Sequence, residues 1–314
     1  MTIAFIFPGQ GAQTIGMGRD LAEAYPAARA VYDEVDAALG ERLSALIWEG
    51  EQDALTLTRN AQPALMATSM AAMAALKAEG VEVTAAACVA GHSLGEYSAL
   101  AAAGALSLGD AARLLRLRGE AMQAAVPAGE GAMAALLGLD FEAVSAIAAE
   151  AAADGVCAAA NDNDPAQVVI SGDRAAVERA VEIAKVQGAK RAVMLPVSAP
   201  FHCSLMQPAA EAMAAALSEV AFRAPAVPLV GNVTAEASTD PDAIRARLVE
   251  QVTGRVRWRE SVTFMAAHGV TETWEIGAGK ALSGMVKRID RAVATRTVGT
   301  PAEVQAASEA FGDV

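Results

Sequence analysis

Five small apolar residues, Ala86-Ala87-Cys88-Val89-Ala90, run straight into Gly91-His92-Ser93-Leu94-Gly95. An apolar run that short reads as a buried strand. The Gly-x-Ser-x-Gly that ends it fits a sharp strand-to-helix turn, in which the glycines relieve crowding around an exposed serine hydroxyl. A helical pattern follows and puts the Leu94 amide at a helix N-terminus, where developing negative charge is favoured. The pattern alone is a weak signal; the strand before it and the helix after it give it weight.

Outward from this turn the chain alternates between strand and helix. Ile3 to Phe7 is a second apolar run, opening at Pro8-Gly9-Gln10-Gly11 into a tight loop. Helical patterns cover 18–39 and 62–77. Between Pro127 and Pro196 the spacing predicts a strand near 132–137, a helix near 141–153 and strands near 156–160 and 167–171, then a helix near 174–186 and a strand near 192–195. This is the βαββαβ order of a ferredoxin-like unit. Residues 129–195 are therefore expected to form an inserted subdomain, and residues 1–128 with 196–314 a discontinuous large α/β domain, hydrolase-like with a parallel sheet. Beyond the insert come a helix over 206–217, an apolar run at 227–231, helices over 240–252 and 258–267, a strand at 272–276 and a helix from Lys280.

Composition narrows the function classes. At 314 residues the chain exceeds one small compact unit, and its alanine-rich apolar fraction with few aromatics predicts more helix than strand. A net charge of −13 argues against nucleic acid, whose phosphates need clustered Lys and Arg. An acidic protein partner would need a local basic patch, for which Lys190-Arg191 and Lys287-Arg288 are the clearest candidates; ordinary solvated charge explains them equally well. Cys88, Cys157 and Cys203 are odd in number and lack CxxC spacing, which fits a reducing cytoplasm without disulfide framework or metal site. The first ten residues do not read as a signal peptide. The uncharged stretch 60–76 contains Asn60, Gln62, Pro63, Thr68 and Ser69, so it predicts a buried helix and no membrane span.

A serine nucleophile needs a base, most often histidine at neutral pH. His92 adjoins Ser93 and should point away from it. His268 ends a helical pattern and reads as a helix cap. His202, in the Pro-punctuated Ala199-Pro200-Phe201-His202-Cys203, lies where the chain returns from the insert and can reach the turn. Judged by its neighbours, Arg118 is a surface helix charge beside Arg113 and Arg116. Cys203 is a small buried wall residue, and Asn161-Asp162-Asn163 is explained by an Asx turn. Gly277-Ala278-Gly279-Lys280 lacks the rest of a phosphate loop, and Gly9-x-Gly11 lacks the third glycine of a dinucleotide fingerprint, so neither implies a bound cofactor.

One combination is highly specific in its order: Phe7-Pro8-Gly9-Gln10-Gly11-Ala12-Gln13, Asn60-Ala61-Gln62-Pro63-Ala64-Leu65, Gly91-His92-Ser93-Leu94-Gly95-Glu96-Tyr97, and Arg118 in Leu117-Arg118-Gly119. Gln167 to Gly172, Phe201-His202-Cys203, Val256-Arg257-Trp258 and Glu275-Ile276-Gly277-Ala278-Gly279-Lys280 complete it. With these motifs the chain resembles the malonyl-CoA:acyl carrier protein transacylases of fatty acid synthesis over residues 7–288. The resemblance implies malonyl-CoA, a coenzyme A thioester, as substrate and holo acyl carrier protein as partner, with no bound cofactor. It implies Ser93 as the acylated nucleophile, His202 as base, a main-chain carbonyl at Gln251 orienting that histidine, and the Gln10 and Leu94 amides as an oxyanion hole. Arg118 would bind the malonyl carboxylate, Phe201 would disfavour branched acyl groups, and Asn161 would lie at the pocket edge. Ala278 stands where the family commonly has proline. Three other readings stay open: a free-standing acyltransferase of polyketide assembly, an α/β serine esterase or thioesterase using His268 or His202 with Asp162 or Asp173, and an idle carrier-docking module.

Overall fold

Continuous apolar runs become strands buried on both faces, as parallel sheets require. The computed structural model describes residues 2–197 and 199–312. Ten strands are present among them: β1 Ile3–Phe7, β2 Ala86–Gly91, β3 Gly131–Leu137, β4 Cys157–Asp164, β5 Gln167–Asp173, β6 Arg191–Met194, β7 Leu229–Val230, β8 Ala237–Ser238, β9 Glu272–Ile276 and β10 Ala294–Val298. They form a six-stranded sheet, order β10-β9-β1-β2-β7-β8, and a four-stranded sheet, order β4-β5-β3-β6. All neighbours in the larger sheet are parallel except β7 and β8. The chain moves from β1 to β2 on one side and returns to β9 on the other, so the ends of β1 and β2 border the reversal of strand order where ligands bind such sheets.

The smaller sheet shows period-two alternation. Ala132, Ala134 and Leu136 pack under the Phe141–Ala152 and Arg174–Val186 helices, whereas Met133, Ala135 and Val169 turn toward the large unit. Outside its own sheet β4 is tied to the segment before the Trp258–Ala267 helix: the Asp162 amide donates to the Val256 carbonyl (2.9 Å) and the Val256 amide to that of Ala160 (2.8 Å). Asp162, fully buried, also takes both oxygens onto the Arg259 guanidinium. Replacing Arg259 with Met would strand this carboxylate, and urea unfolding should report a loss of about 3 kcal/mol. A loss under about 0.5 kcal/mol, typical of exposed pairs, would contradict the role.

The helix Thr58–Ala78 is buried along most of its length although Pro63 interrupts it. Proline supplies no amide for the Arg59 carbonyl, one turn back. Arg116 Nη1 donates to that carbonyl instead, at 2.7 Å.

Several expectations need correction. The 18–39 helix is two, Arg19–Ala24 and Pro26–Leu39, because Tyr25 before proline is held extended at φ −125°. The 227–231 run keeps only Leu229–Val230 as strand, and the 156–160 strand extends to Asp164. Asn161-Asp162-Asn163 is no Asx turn: it lies in β4, where pairing with β5 slips twice. Helices Leu43–Glu49 and Gln52–Thr56, strand β10 and helix Pro301–Gly312 had no strong sequence signal. No helix among the described residues is long and apolar enough to cross a membrane.

Candidate active site

Both glycines of the turn after β2 are required by close approach. A Cβ on Gly91 would overlap the Gly95 carbonyl, and one on Gly95 the Phe7 carbonyl. With that space open, Ser93 takes a left-handed φ of 53° and its amide donates to Asn232 Oδ1 at 2.7 Å. Non-glycine residues at positive φ are uncommon and concentrate at functional sites. His202, returning from the smaller unit, is a second such residue at φ 59°. Its Nε2 lies 2.8 Å from Ser93 Oγ.

The tautomer follows from what surrounds the ring. Nδ1 faces two carbonyls, of Gln251 at 2.9 Å and Gly254 at 3.1 Å, and must carry the proton to donate to them. Nε2 is then bare and able to accept the serine proton. Among the described residues no carboxylate takes part in this orientation.

Arg118, on the helix Leu108–Ala124, is 1% exposed, which overturns its reading as surface charge. Its guanidinium donates to Gln62 Oε1 (2.8 Å), Gln251 Oε1 (2.9 Å) and Ser93 Oγ (3.2 Å), all neutral acceptors. Among the described residues no carboxylate is paired with it. Burial pulls its pKa down while Tyr97 and Glu96 hold it up. A desolvated cation without a counter-ion in direct contact is poised for an anion.

These groups open onto a cleft of about 520 Å³ between the two sheets. The loop after β1 contributes Gln10, the elbow contributes Ser93 and Leu94, and the smaller sheet contributes Met133, Val169 and Asn161. Phe201 and His202 close one side. Among the described residues neither the Gln10 nor the Leu94 amide donates a hydrogen bond, so both remain available to a substrate oxygen. His92 points the other way, its Nε2 2.8 Å from Asn163. His268 caps its helix, with Nδ1 2.8 Å from the Phe264 carbonyl. Cys203 is buried with its thiol on the Pro200 carbonyl. Asp162 is occupied by Arg259 and Asp173 by the Val156 amide, so neither serves a triad. Lys190, Arg191 and Lys287 are not among the residues that line the cleft, and Arg288 is paired with Asp164 at 2.8 Å. Among the described residues no cluster of His, Cys, Asp and Glu is placed to hold a metal.

The chain matches known proteins over nearly its whole length. Residues 4–277 match the family model described as acyl transferase domain. The chain belongs to that family. A malonyl CoA-acyl carrier protein transacylase of Bacillus subtilis is 49% identical over 306 residues, covering 97% of this chain and 96% of its own. The crystal structure of an acyl-carrier-protein-S-malonyltransferase from Bartonella henselae has a TM-score of 0.97 and 56% identity, covering 99% of this chain and all of that one. A solved complex of a type II PKS acyl-carrier protein with its malonyl-transacylase has a TM-score of 0.96 and 42% identity, covering 99% of this chain and 100% of that chain.

Within this acyl transferase, three polar residues escaped the sequence reading as site residues. Gln62 and Glu96 lay inside quoted motifs, but only the folded chain places their side chains; nothing local marks Asn232. The electrostatics of the base are testable. Burial, then the Arg118 charge, lower the His202 pKa to about 3. A lowered pKa keeps the base unprotonated at pH values where an ordinary histidine near 6.5 would be lost. Serine acylation at saturating donor should therefore hold its first-order rate from about pH 8 to about pH 5, and quenched single turnovers that fall below pH 6.5 would contradict it.

Proposed function

We propose that the chain transfers the malonyl group of malonyl-CoA to the phosphopantetheine thiol of holo acyl carrier protein, through an ester on Ser93, for fatty acid synthesis in the cytoplasm. The observation that carries this reading is the buried Arg118 guanidinium, without a carboxylate in contact among the described residues, beside a serine hydrogen-bonded to a bare imidazole nitrogen. Ser93 Oγ attacks the thioester carbonyl as His202 Nε2 takes its proton. The oxyanion is met by the Gln10 and Leu94 amides, donors that contribute about 2.7–4 kcal/mol each where measured. Collapse expels coenzyme A thiolate, which takes the proton from His202. The carrier thiol then attacks the ester with His202 as base, and Ser93 recovers its proton. Arg118 holds the malonyl carboxylate with its two-pronged fork, Phe201 fills the space a branching methyl would occupy, and Asn161 borders the acyl pocket.

We assign residues 1–128 and 196–314 to an α/β-hydrolase-like catalytic unit and 129–195 to a ferredoxin-like insert, the cleft between them limiting access of water. The esterase alternative lacks a free acid at Asp162 or Asp173. Incubation with malonyl-CoA and then holo carrier should raise the carrier's mass by one malonyl group; free malonate without a loaded carrier would favour hydrolysis.

Carrier docking is assigned to the basic pairs. Arg191, Leu137, Gln167 and Asp164 form one transverse row of the smaller sheet, and Arg288 sits on Asp164. Lys190-Arg191 and Lys287-Arg288 thus flank the same end of that sheet, about 14 Å apart across three strand spacings, beside the cleft residue Gln167. Neutralising Lys190, Arg191 and Lys287 together is expected to slow transfer to the carrier about tenfold with loading from malonyl-CoA unchanged. An unchanged second half-reaction would remove the assignment.

A further inference from the structure

Glu96 is buried beneath the elbow at 1% exposure, and no step above uses it. Its Oε2 accepts from Gln251 Nε2, and its Oε1 from the Asn232 amide at 3.4 Å. The same Gln251 side chain reaches three other groups: Nε2 donates to the Ser93 carbonyl at 2.9 Å and to Asn232 Oδ1 at 3.4 Å, and Oε1 accepts from Arg118 Nη2 at 2.9 Å. A carboxamide has one accepting and one donating end. Because a guanidinium only donates, the oxygen end must face Arg118, and the amine end must then face acceptors. Glu96, the Ser93 carbonyl and Asn232 Oδ1 are those acceptors, and Glu96, the charged one among them, helps fix which way Gln251 is turned.

The charges form a corresponding series. Arg118 and Glu96 are buried one amide apart, the cation and anion each in contact with neutral groups. Around Glu96 stand Arg118 from the Leu108–Ala124 helix, Gln251 and Arg247 from the Pro241–Thr253 helix, Asn232 from the loop after β7, and Tyr97 on its own helix.

We propose that Glu96 is a positioning residue for acyl selectivity: through the Gln251 amide it holds Arg118 ready for an anionic acyl group, and it is the resident counter-charge that an incoming carboxylate replaces. The proposal rests on the reading of Arg118 as the carboxylate site. Two consequences follow. Exchanging the carboxylate for a carboxamide places an amine against Gln251 or the Asn232 amide and turns Gln251 away from Arg118, which harms anionic donors selectively. A second anion arriving at Arg118 also makes the Glu96 proton harder to remove. Burial already raises that carboxyl to about 7, against the lowering pull of Gln251, Asn232, Arg118 and Arg247. Loading of an anionic donor then takes up a proton and weakens as pH rises through that value, whereas loading of a neutral donor does not.

The test is serine acylation by malonyl-CoA and acetyl-CoA in the wild type, Glu96→Gln and Arg118→Ala, from about pH 6 to about pH 9. For Glu96→Gln, malonyl loading is expected to fall about 10- to 100-fold while acetyl loading changes less than about threefold. The wild-type malonyl-to-acetyl ratio should decline above pH 7, and this decline should vanish in Glu96→Gln. Equal loss of both acyl groups in Glu96→Gln, or loss of neither, with Arg118→Ala losing malonyl loading selectively, would overturn the role of Glu96 alone. Equal loss in Arg118→Ala would instead overturn the underlying reading. Should Glu96→Gln fail to fold, the wild-type ratio decides: a flat ratio across the range refutes the proposal.

Discussion

Ser93→Ala is expected to lower malonyl transfer by about 10⁴- to 10⁶-fold with little change in thermal stability. The effect is large because the rival nucleophile Cys203 is buried with its thiol turned onto the Pro200 carbonyl, and burial raises its pKa. Stability should survive because the elbow is shaped by Gly91 and Gly95 and by the Asn232 bond to the Ser93 amide, none of which needs the hydroxyl. The measurement is transfer to the carrier alongside a melting curve. A variant that keeps more than about a tenth of its activity would show that Ser93 is not the acylated residue.

Arg118→Ala should separate acyl groups. Malonyl transfer is expected to fall about 10²- to 10³-fold, the scale of losing one partner of a buried charge pair, while acetyl transfer persists or improves. Arg118→Lys should rescue little, because a point charge cannot reproduce the fork that reaches Gln62, Gln251 and Ser93 together. Equal losses for both donors would make the arginine a structural member of the network.

These two residues also show how unevenly the site could be read from sequence. Ser93 was legible because an elbow is local: strand, two glycines and helix lie within a few positions. The six elements between Gly131 and Met194 were legible for the same reason, falling close to where alternation and helical periodicity put them. Arg118 was not legible from its neighbours. Its helix carries Arg113 and Arg116 as well, and only packing against Thr58–Ala78 decides that Arg113 is exposed, Arg116 serves the carbonyl freed by Pro63, and Arg118 is enclosed. The motif resemblance supplied what periodicity could not. The turn that competed with a pocket-edge place for Asn161 is absent because the residue lies in β4, and a slip in strand register depends on the partner strand and leaves no local trace. Glu96 and Asn232 act through contacts more than a hundred positions apart in sequence, beyond any window of periodicity.

Transfer by this route requires a malonyl ester on Ser93 that the carrier thiol can discharge. Acid-quenched wild-type protein, exposed to malonyl-CoA, digested and mapped by tandem mass spectrometry, tests it most directly. One malonyl group on Ser93, lost when holo acyl carrier protein is added before the quench, is the predicted result. A malonyl group on Cys203 or another residue, or no adduct while the carrier is still loaded, would contradict it.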